Sequence, residues 1–329
     1  MRDWLIPVLV SVLAAASSPQ ETAPPKPAFQ GDFFGEMPRA FGVIQSVDLK
    51  EQRVTARLDR DGQIVTVPVK DDTELHVRHS WGELSDYFAG QHVMLFMYVD
   101  DEKHWTYPRA IQDDIAMWAL HNHYARIVKI DREARSYATQ RDEKDGKGNV
   151  VKTVDASYSY AADVKVWKSK EPAGIDALKE GDEVITQLVE QGGKLVAAEI
   201  LDRAGDDAVR AAQDERHRKD QDRLGLPAYV SDVEVLAGSL LATVAWSGSA
   251  RAKSDLKPGM ALAVEPAGGK AFAAAVCSVQ AVDTRQRVQF AINARVAARL
   301  APGQALRIFL PGTGPELPQG RAGLPIPKK

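Results

Sequence analysis

One short phrase recurs four times in this chain and constrains its fold more than any other feature. An apolar residue is followed by two spacers, a glycine, two more residues and another apolar residue. The copies are Tyr87-Phe88-Ala89-Gly90-Gln91-His92-Val93, Leu178-Lys179-Glu180-Gly181-Asp182-Glu183-Val184, Leu256-Lys257-Pro258-Gly259-Met260-Ala261-Leu262 and Leu300-Ala301-Pro302-Gly303-Gln304-Ala305-Leu306. Glycine enters positive φ without a Cβ penalty, so each copy reads as a tight turn feeding a strand. The runs around the first copy are short and alternate apolar with polar. Val54, Ala56 and Leu58 share one face of a strand, and Asp59-Arg60-Asp61-Gly62 is a hairpin turn. The stretch 93–98 has no polar face and reads as a strand buried on both sides. Five or six short strands at this spacing suit a small closed or nearly closed barrel.

The same grammar returns once in full. Ile127-Val128 and Ile130-Asp131 echo Val43-Ile44 and Val47-Asp48, and Asp145-Gly146 stands where Asp61-Gly62 stood. The pattern is an internal duplication rather than a short-period solenoid. It predicts a mainly β protein of tandem small β-barrels, OB-like or similar, with one charged connector helix. The expected units are barrel 1 at 39–113, a connector at 114–123, barrel 2 at 124–202, a charged helical linker at 203–227, barrel 3 at 228–311, and a Pro/Gly-rich tail at 312–329. In the linker, good helix formers and mixed charges at i, i+4 indicate a helix, and its thin apolar stripe suggests a solvated connector. Units of about 80 residues bury only about 60% of their unfolded surface, so packing between barrels is expected.

The ends point to export. Residues 1–16 read as a signal peptide: Arg2, an apolar run, then small residues with Ala14 and Ala16 in an A-x-A arrangement. The run is short for a bilayer span, which needs about 20 apolar residues. Cleavage and retention as an anchor both remain open, and no membrane span is expected after cleavage. Residues 17–38 read as a flexible leader. The expected location is periplasmic or extracellular. A formal net charge of −3 over 329 residues supplies no attraction to nucleic acid. Cys277 is the single cysteine, which excludes an intramolecular disulfide.

Chemistry concentrates in one place. Six of the seven histidines lie between positions 76 and 123, with Met94, Met97 and Met117 and with Trp81, Trp105 and Trp118 among them. Imidazole suits copper and zinc, and thioether suits Cu(I). The candidate metal ligands are His76, His79, His92, His121 and His123. Met94 and Met97 read equally well as core, and the tryptophans as packing. No nucleophile elbow, zinc-protease helix, P-loop or dinucleotide-binding glycine motif occurs. The carboxylate pairs, Asp113-Asp114 among them, sit at strand ends or turns.

The opening Gly42-Val43-Ile44-Gln45-Ser46-Val47-Asp48, the pair Asp72-Thr73 and the phrase Leu178-Lys179-Glu180-Gly181-Asp182-Glu183-Val184 carry a resemblance. They resemble a widespread exported bacterial module of unknown function, over about half the chain. The resemblance rests on structural residues and implies an OB-like or similar barrel without an activity. Three functions follow as expectations. The leading one is a non-catalytic extracytoplasmic binding or scaffold protein with a protein or envelope partner. The alternative is a periplasmic copper- or zinc-binding module on the first unit, and the third is a carbohydrate-active enzyme.

Overall fold

The computed structural model describes residues 37–315, apart from 71, 145, 148, 283 and 284. The expected signal peptide, most of the leader and the end of the tail lie outside the described residues. The chain is mainly β, in three groups of strands. The first comprises β1 (Arg39–Asp48), β2 (Arg53–Leu58), β3 (Ile64–Pro68), β4 (Glu74–Val77), β5 (Ser80–Trp81), β6 (His92–Val99) and β7 (Trp105–Asp113), followed by helix α1 (Asp114–Leu120). The second comprises β8 (Ala125–Asp131), β9 (Ser136–Lys144), β10 (Val150–Lys168), β11 (Glu171–Ala173), β12 (Glu183–Gln191) and β13 (Lys194–Asp202), followed by helix α2 (Arg203–Leu224). The third comprises β14 (Leu226–Glu234), β15 (Ser239–Val244), helix α3 (Trp246–Asp255), β16 (Ala261–Pro266), β17 (Phe272–Val282), β18 (Arg285–Ala291), helix α4 (Ala294–Ala297) and β19 (Ala305–Phe309).

In the second group β10 pairs with both β9 and β13, so β8-β9-β10-β13-β12 closes into a ring with β10 and β13 parallel. This is the connectivity of a five-stranded OB barrel. The first group has order β3-β2-β1-β6-β7-β4-β5, with β4 and β7 parallel. It is the same ring with its third strand broken in two. Pro68 ends β3, where the missing N–H cannot continue a ladder, and β4 resumes at Glu74. The third group is a closed barrel of order β14-β15-β18-β17-β16-β19.

The four glycine phrases share one geometry. Gly90, Gly181, Gly259 and Gly303 have φ of 90, 93, 88 and 84°. Each sits third in a turn closed from the first residue to the fourth, as in a type II turn, with Gln91, Asp182, Met260 and Gln304 donating their N–H back. Each glycine N–H then donates to a strand carbonyl, of Ile44, Ile127, Val276 or Val230, at 2.7 to 2.8 Å. Those four strands each bulge just beyond that residue. Cys277 is the extra residue of one bulge, which leaves it half-buried rather than enclosed.

Two expectations change. The 114–123 connector holds a helix, α1, whose Ile115, Ala116 and Ala119 are buried. It covers the outer face of β6, where Met94 and Phe96 pack with Met117 and Phe41, while Met97 faces the barrel core. Helix α2 is not a solvated connector. Asp206, Val209, Gln213, His217 and Gln221 are buried at three- and then four-residue spacing along it. The stripe is mostly polar, so hydropathy could not reveal it. Its two amides are met by other elements: Gln213 Nε2 donates to the Trp81 carbonyl at 3.0 Å, and Gln221 Nε2 to the Ser247 carbonyl at 2.9 Å. Gly205 lies against the Trp167 backbone, where a Cβ would come within 2.4 Å of the carbonyl oxygen. The helix therefore touches all three barrels. No helix among the described residues is long and apolar enough to cross a membrane.

Candidate functional site at the junction of the first two barrels

The turn from β4 to β5 is the most unusual backbone near the histidine-rich region. Val77 pairs with Ser80, leaving only Arg78 and His79 to turn. A two-residue hairpin of this kind needs positive φ at both central positions, ordinarily Asn-Gly. Arg78 and His79 adopt φ of 53 and 62°, which costs side-chain-bearing residues about 1–2 kcal/mol each. Tertiary bonds compensate. The Arg78 N–H donates to Asp113 Oδ2 at 2.9 Å, its guanidinium reaches Glu199 Oε2 at 3.2 Å, and His79 Nδ1 meets Asp206 Oδ2 at 2.9 Å. The turn thus ties the first barrel to the second and to α2.

Asp113 does two jobs. Its Oδ1 accepts the Ala116 N–H at 2.7 Å and so caps α1, while its Oδ2 holds the Arg78 turn. It is fully buried. Burial raises its pKa, the two backbone donors and the Arg78 charge oppose this in part, and the result is about 7.

Next to it, His92 lies between two carboxylates. Nδ1 is 2.7 Å from Asp114 Oδ1 and Nε2 is 2.8 Å from Asp59 Oδ2, with the ring stacked on Phe41 at 5.2 Å. Burial alone favours the neutral ring. The Asp114 and Asp59 charges and hydrogen bonds outweigh it and push the pKa up to about 10, so His92 is an imidazolium at neutral pH. Asp114 also accepts the Leu188 N–H at 2.9 Å, and Gln187 Nε2 donates to the His92 carbonyl at 2.9 Å. A polar pin thus runs from the hairpin turn at Asp59 through His92 and Asp114 into β12.

The Arg78 turn and Asp113, but not His92 or Asp114, border a cavity of about 430 Å³, walled by both barrels and α2 and lined also by Gln187, Glu199, Gln213 and Arg216. The first glycine phrase forms one wall. The Gly90 carbonyl accepts the Glu190 N–H at 2.7 Å, and Gln91 bridges to Val189, so this turn is also a contact with β12. Arg216 pairs with Asp86, and Trp167 Nε1 donates to Glu199 at 2.9 Å. The cavity offers anchored charges of both signs, fitted to orient a small polar group.

The five histidines read as metal ligands go to different places. His76 Nε2 lies 3.0 Å from Glu74 Oε2 with its ring 4.5 Å from Trp81. His79 and His92 take the carboxylates already named. His121 and His123, beyond α1, are exposed, with ring centroids 5.6 Å apart. Among the described residues no group of three or more His, Cys, Asp or Glu side chains is placed to hold a metal ion. Asp113, Asp114, Gln187, Glu199 and Asp206 escaped sequence reasoning as site residues. The doubled Asp113-Asp114 at a strand end was the one available signal, because a carboxylate there is a helix-cap candidate.

Fold and site together define a class, a mainly β protein of three small barrels with a polar cavity at the first junction. No protein-family profile matches the chain, and no curated protein matches it.

Proposed function

We propose that this chain is a non-catalytic extracytoplasmic binding protein whose first two barrels and α2 hold a small polar ligand, or a polar side chain of an envelope partner, at their junction. One observation supports the reading: a strained turn presents Arg78 at the wall of a preformed cavity, locked by Asp113 and Glu199 from two barrels. The export part of the reading rests on the N-terminal residues alone. The test is thermal unfolding of the mature chain with small amines, carboxylates and phosphates at millimolar concentration. One class should raise the Tm, and Arg78→Ala should abolish the rise. A flat profile across all three classes, or an unchanged response in Arg78→Ala, rejects the proposal.

A second reading keeps metal binding at His121 and His123. Partial desolvation beside the Trp118 ring, then the neighbouring Arg141 charge, lowers the His123 pKa, which favours the neutral, ligating imidazole. Calorimetry with Cu(I), Cu²⁺ and Zn²⁺ decides it. Binding tighter than about micromolar that is lost in the His121→Ala, His123→Ala double variant supports the idea, and its absence removes it.

A further inference from the structure

The cavity at the first junction sorts its charges by depth. Its lining holds five carboxylates, on Asp86, Asp113, Asp163, Glu190 and Glu199, and three cations, on Arg78, Lys165 and Arg216. The count alone favours a cationic ligand, but position reverses it. Asp86 keeps 2% of its side chain exposed and its partner Arg216 53%, while Glu199 keeps 8% and its partner Arg78 37%. Asp113 is buried, and Glu190 is paired with Arg57. The buried carboxylates stand behind the two guanidiniums, and the exposed charges are the arginines, with Lys165 and Asp163 together on β10. Resting on the reading that this cavity holds a polar ligand, we infer that the ligand is a singly charged carboxylate with an apolar body, its carboxylate met by Arg78 and Arg216 and its body by Phe88.

The first argument is unspent donors. Arg78 bonds Glu199 through Nη2, and Arg216 pairs with Asp86 through Nη2; among the described residues neither guanidinium has a second side-chain partner. A guanidinium presents its N–H groups as a rigid planar fork that matches a carboxylate, so each arginine keeps donors for one. Both are held before a ligand arrives. Asp113 fixes the Arg78 backbone and Glu199 its side chain. Asp86, which positions Arg216, itself accepts the Glu83 N–H at 2.9 Å and Gln213 Nε2 at 3.3 Å. Groups placed in advance lose little entropy on binding. A dianionic phosphate fits less well, because the carboxylates behind the arginines repel a second negative charge.

The second argument is Phe88. It lines the cavity with half its surface exposed. At the same position the other three glycine phrases hold Lys179, Lys257 and Ala301. The turn therefore does not require an aromatic there. Small-molecule sites combine an apolar wall with a few placed polar groups, and Phe88 supplies that wall together with Val189 and Ala198. A volume of about 430 Å³ also leaves room for more than a bare carboxylate.

The experiment is calorimetric titration of the full chain with phenylacetate, acetate, phenethylamine and phenyl phosphate, and with N-acetylphenylalanine as a mimic of a chain-end carboxylate. Phenylacetate or N-acetylphenylalanine should bind more tightly than the other three. Preference for phenylacetate supports a free organic acid, and preference for N-acetylphenylalanine supports the chain end of a partner; the carboxylate stands in both. Arg216→Gln should weaken binding by roughly tenfold or more, as loss of a charge-assisted hydrogen bond does. Phe88→Ala leaves the Arg216–Asp86 pair intact and should weaken both aromatic acids by roughly tenfold. Tighter binding of phenethylamine or phenyl phosphate than of either aromatic acid overturns the inference and leaves the wider reading of the cavity standing, whereas binding of no probe overturns both. Wild-type affinity in Phe88→Ala, or in Arg216→Gln shown by circular dichroism to be folded, also overturns the inference.

Discussion

The first and second barrels make the same bonds at matching points, yet only one of them carries concentrated chemistry. In the first, Asp113 caps α1 through Ala116 and accepts the N–H of Arg78, a turn residue with φ of 53°. In the second, Asp202 caps α2 through Gly205 and accepts the N–H of Ser169, a turn residue with φ of 55°. The difference is what covers them. The first barrel is covered by β12 and α2 on one flank and by the third barrel on another, so its cap and His92 are buried among carboxylates and its turn is half-buried. The second keeps the equivalent turn in water and carries a long β9–β10 ribbon with exposed Val150 and Val151. A shared frame therefore does not distribute function evenly. Burial converts an ordinary cap aspartate into a group that titrates near neutrality.

Matched substitutions test that comparison. The largest contrast is expected at the residue after each cap. Asp114→Ala strips a buried imidazolium of one partner and leaves the Leu188 N–H unmet, a loss of about 3–5 kcal/mol in urea unfolding. Its counterpart Arg203→Ala removes an exposed pair with Glu183 and should cost under about 1 kcal/mol. Equal losses would mean that the two junctions are equivalent.

The caps come next. Asp202→Ala should cost about 1 kcal/mol, the ordinary value of an N-cap. Asp113→Ala also leaves the Arg78 N–H unsatisfied and should cost about 2–4 kcal/mol. The Asp113 loss is pH-dependent. Because its pKa is raised to about 7, the stability it contributes is full below 3.8 and is lost as pH rises through 7. The stability of Asp113→Asn relative to wild type should therefore climb from pH 4 to 7 and then level off. His92 is also raised, so its contribution is full below 6.5 and is lost as pH rises through about 10. His92→Gln should show its relative gain above pH 7 instead. Chemical unfolding across pH separates the two windows.

Smaller effects are expected at the glycine phrases. Gly181→Ala, in open space at φ of 93°, should lower stability by about 1 kcal/mol. Gly90→Ala carries the same strain and also brings a Cβ to 3.4 Å from the Glu190 carbonyl, so its Tm should fall further. The smallest change is expected for Arg57→Ala. It removes a part-exposed pair with Glu190 across the junction and should cost under about 1 kcal/mol, shrinking further in salt.

Much of the frame was readable from sequence because its causes are local. A glycine between an apolar anchor and a strand needs positive φ, and the four copies demand the same turn whatever lies around them. The buried run at β6 and the helix over Arg203–Leu224 were likewise written in nearby residues. The site was not legible, because its bonds join residues far apart in the chain. His92 and Asp114 are separated by 22 positions, and His79 and Asp206 by 127. The polar stripe of α2 hid its burial, since Gln213 and Gln221 read as solvent-facing until a carbonyl on another barrel meets each of them.

The sequence alone determined the mainly β class and the turns at the four glycine phrases, since these follow from φ preferences and side-chain alternation within a few residues. Only the tertiary structure decided that His76, His79 and His92 face separate carboxylates, that α2 touches all three barrels, and that openings remain at two junctions. Charge partners and cavities are properties of surfaces meeting, and no local pattern records which surfaces will meet.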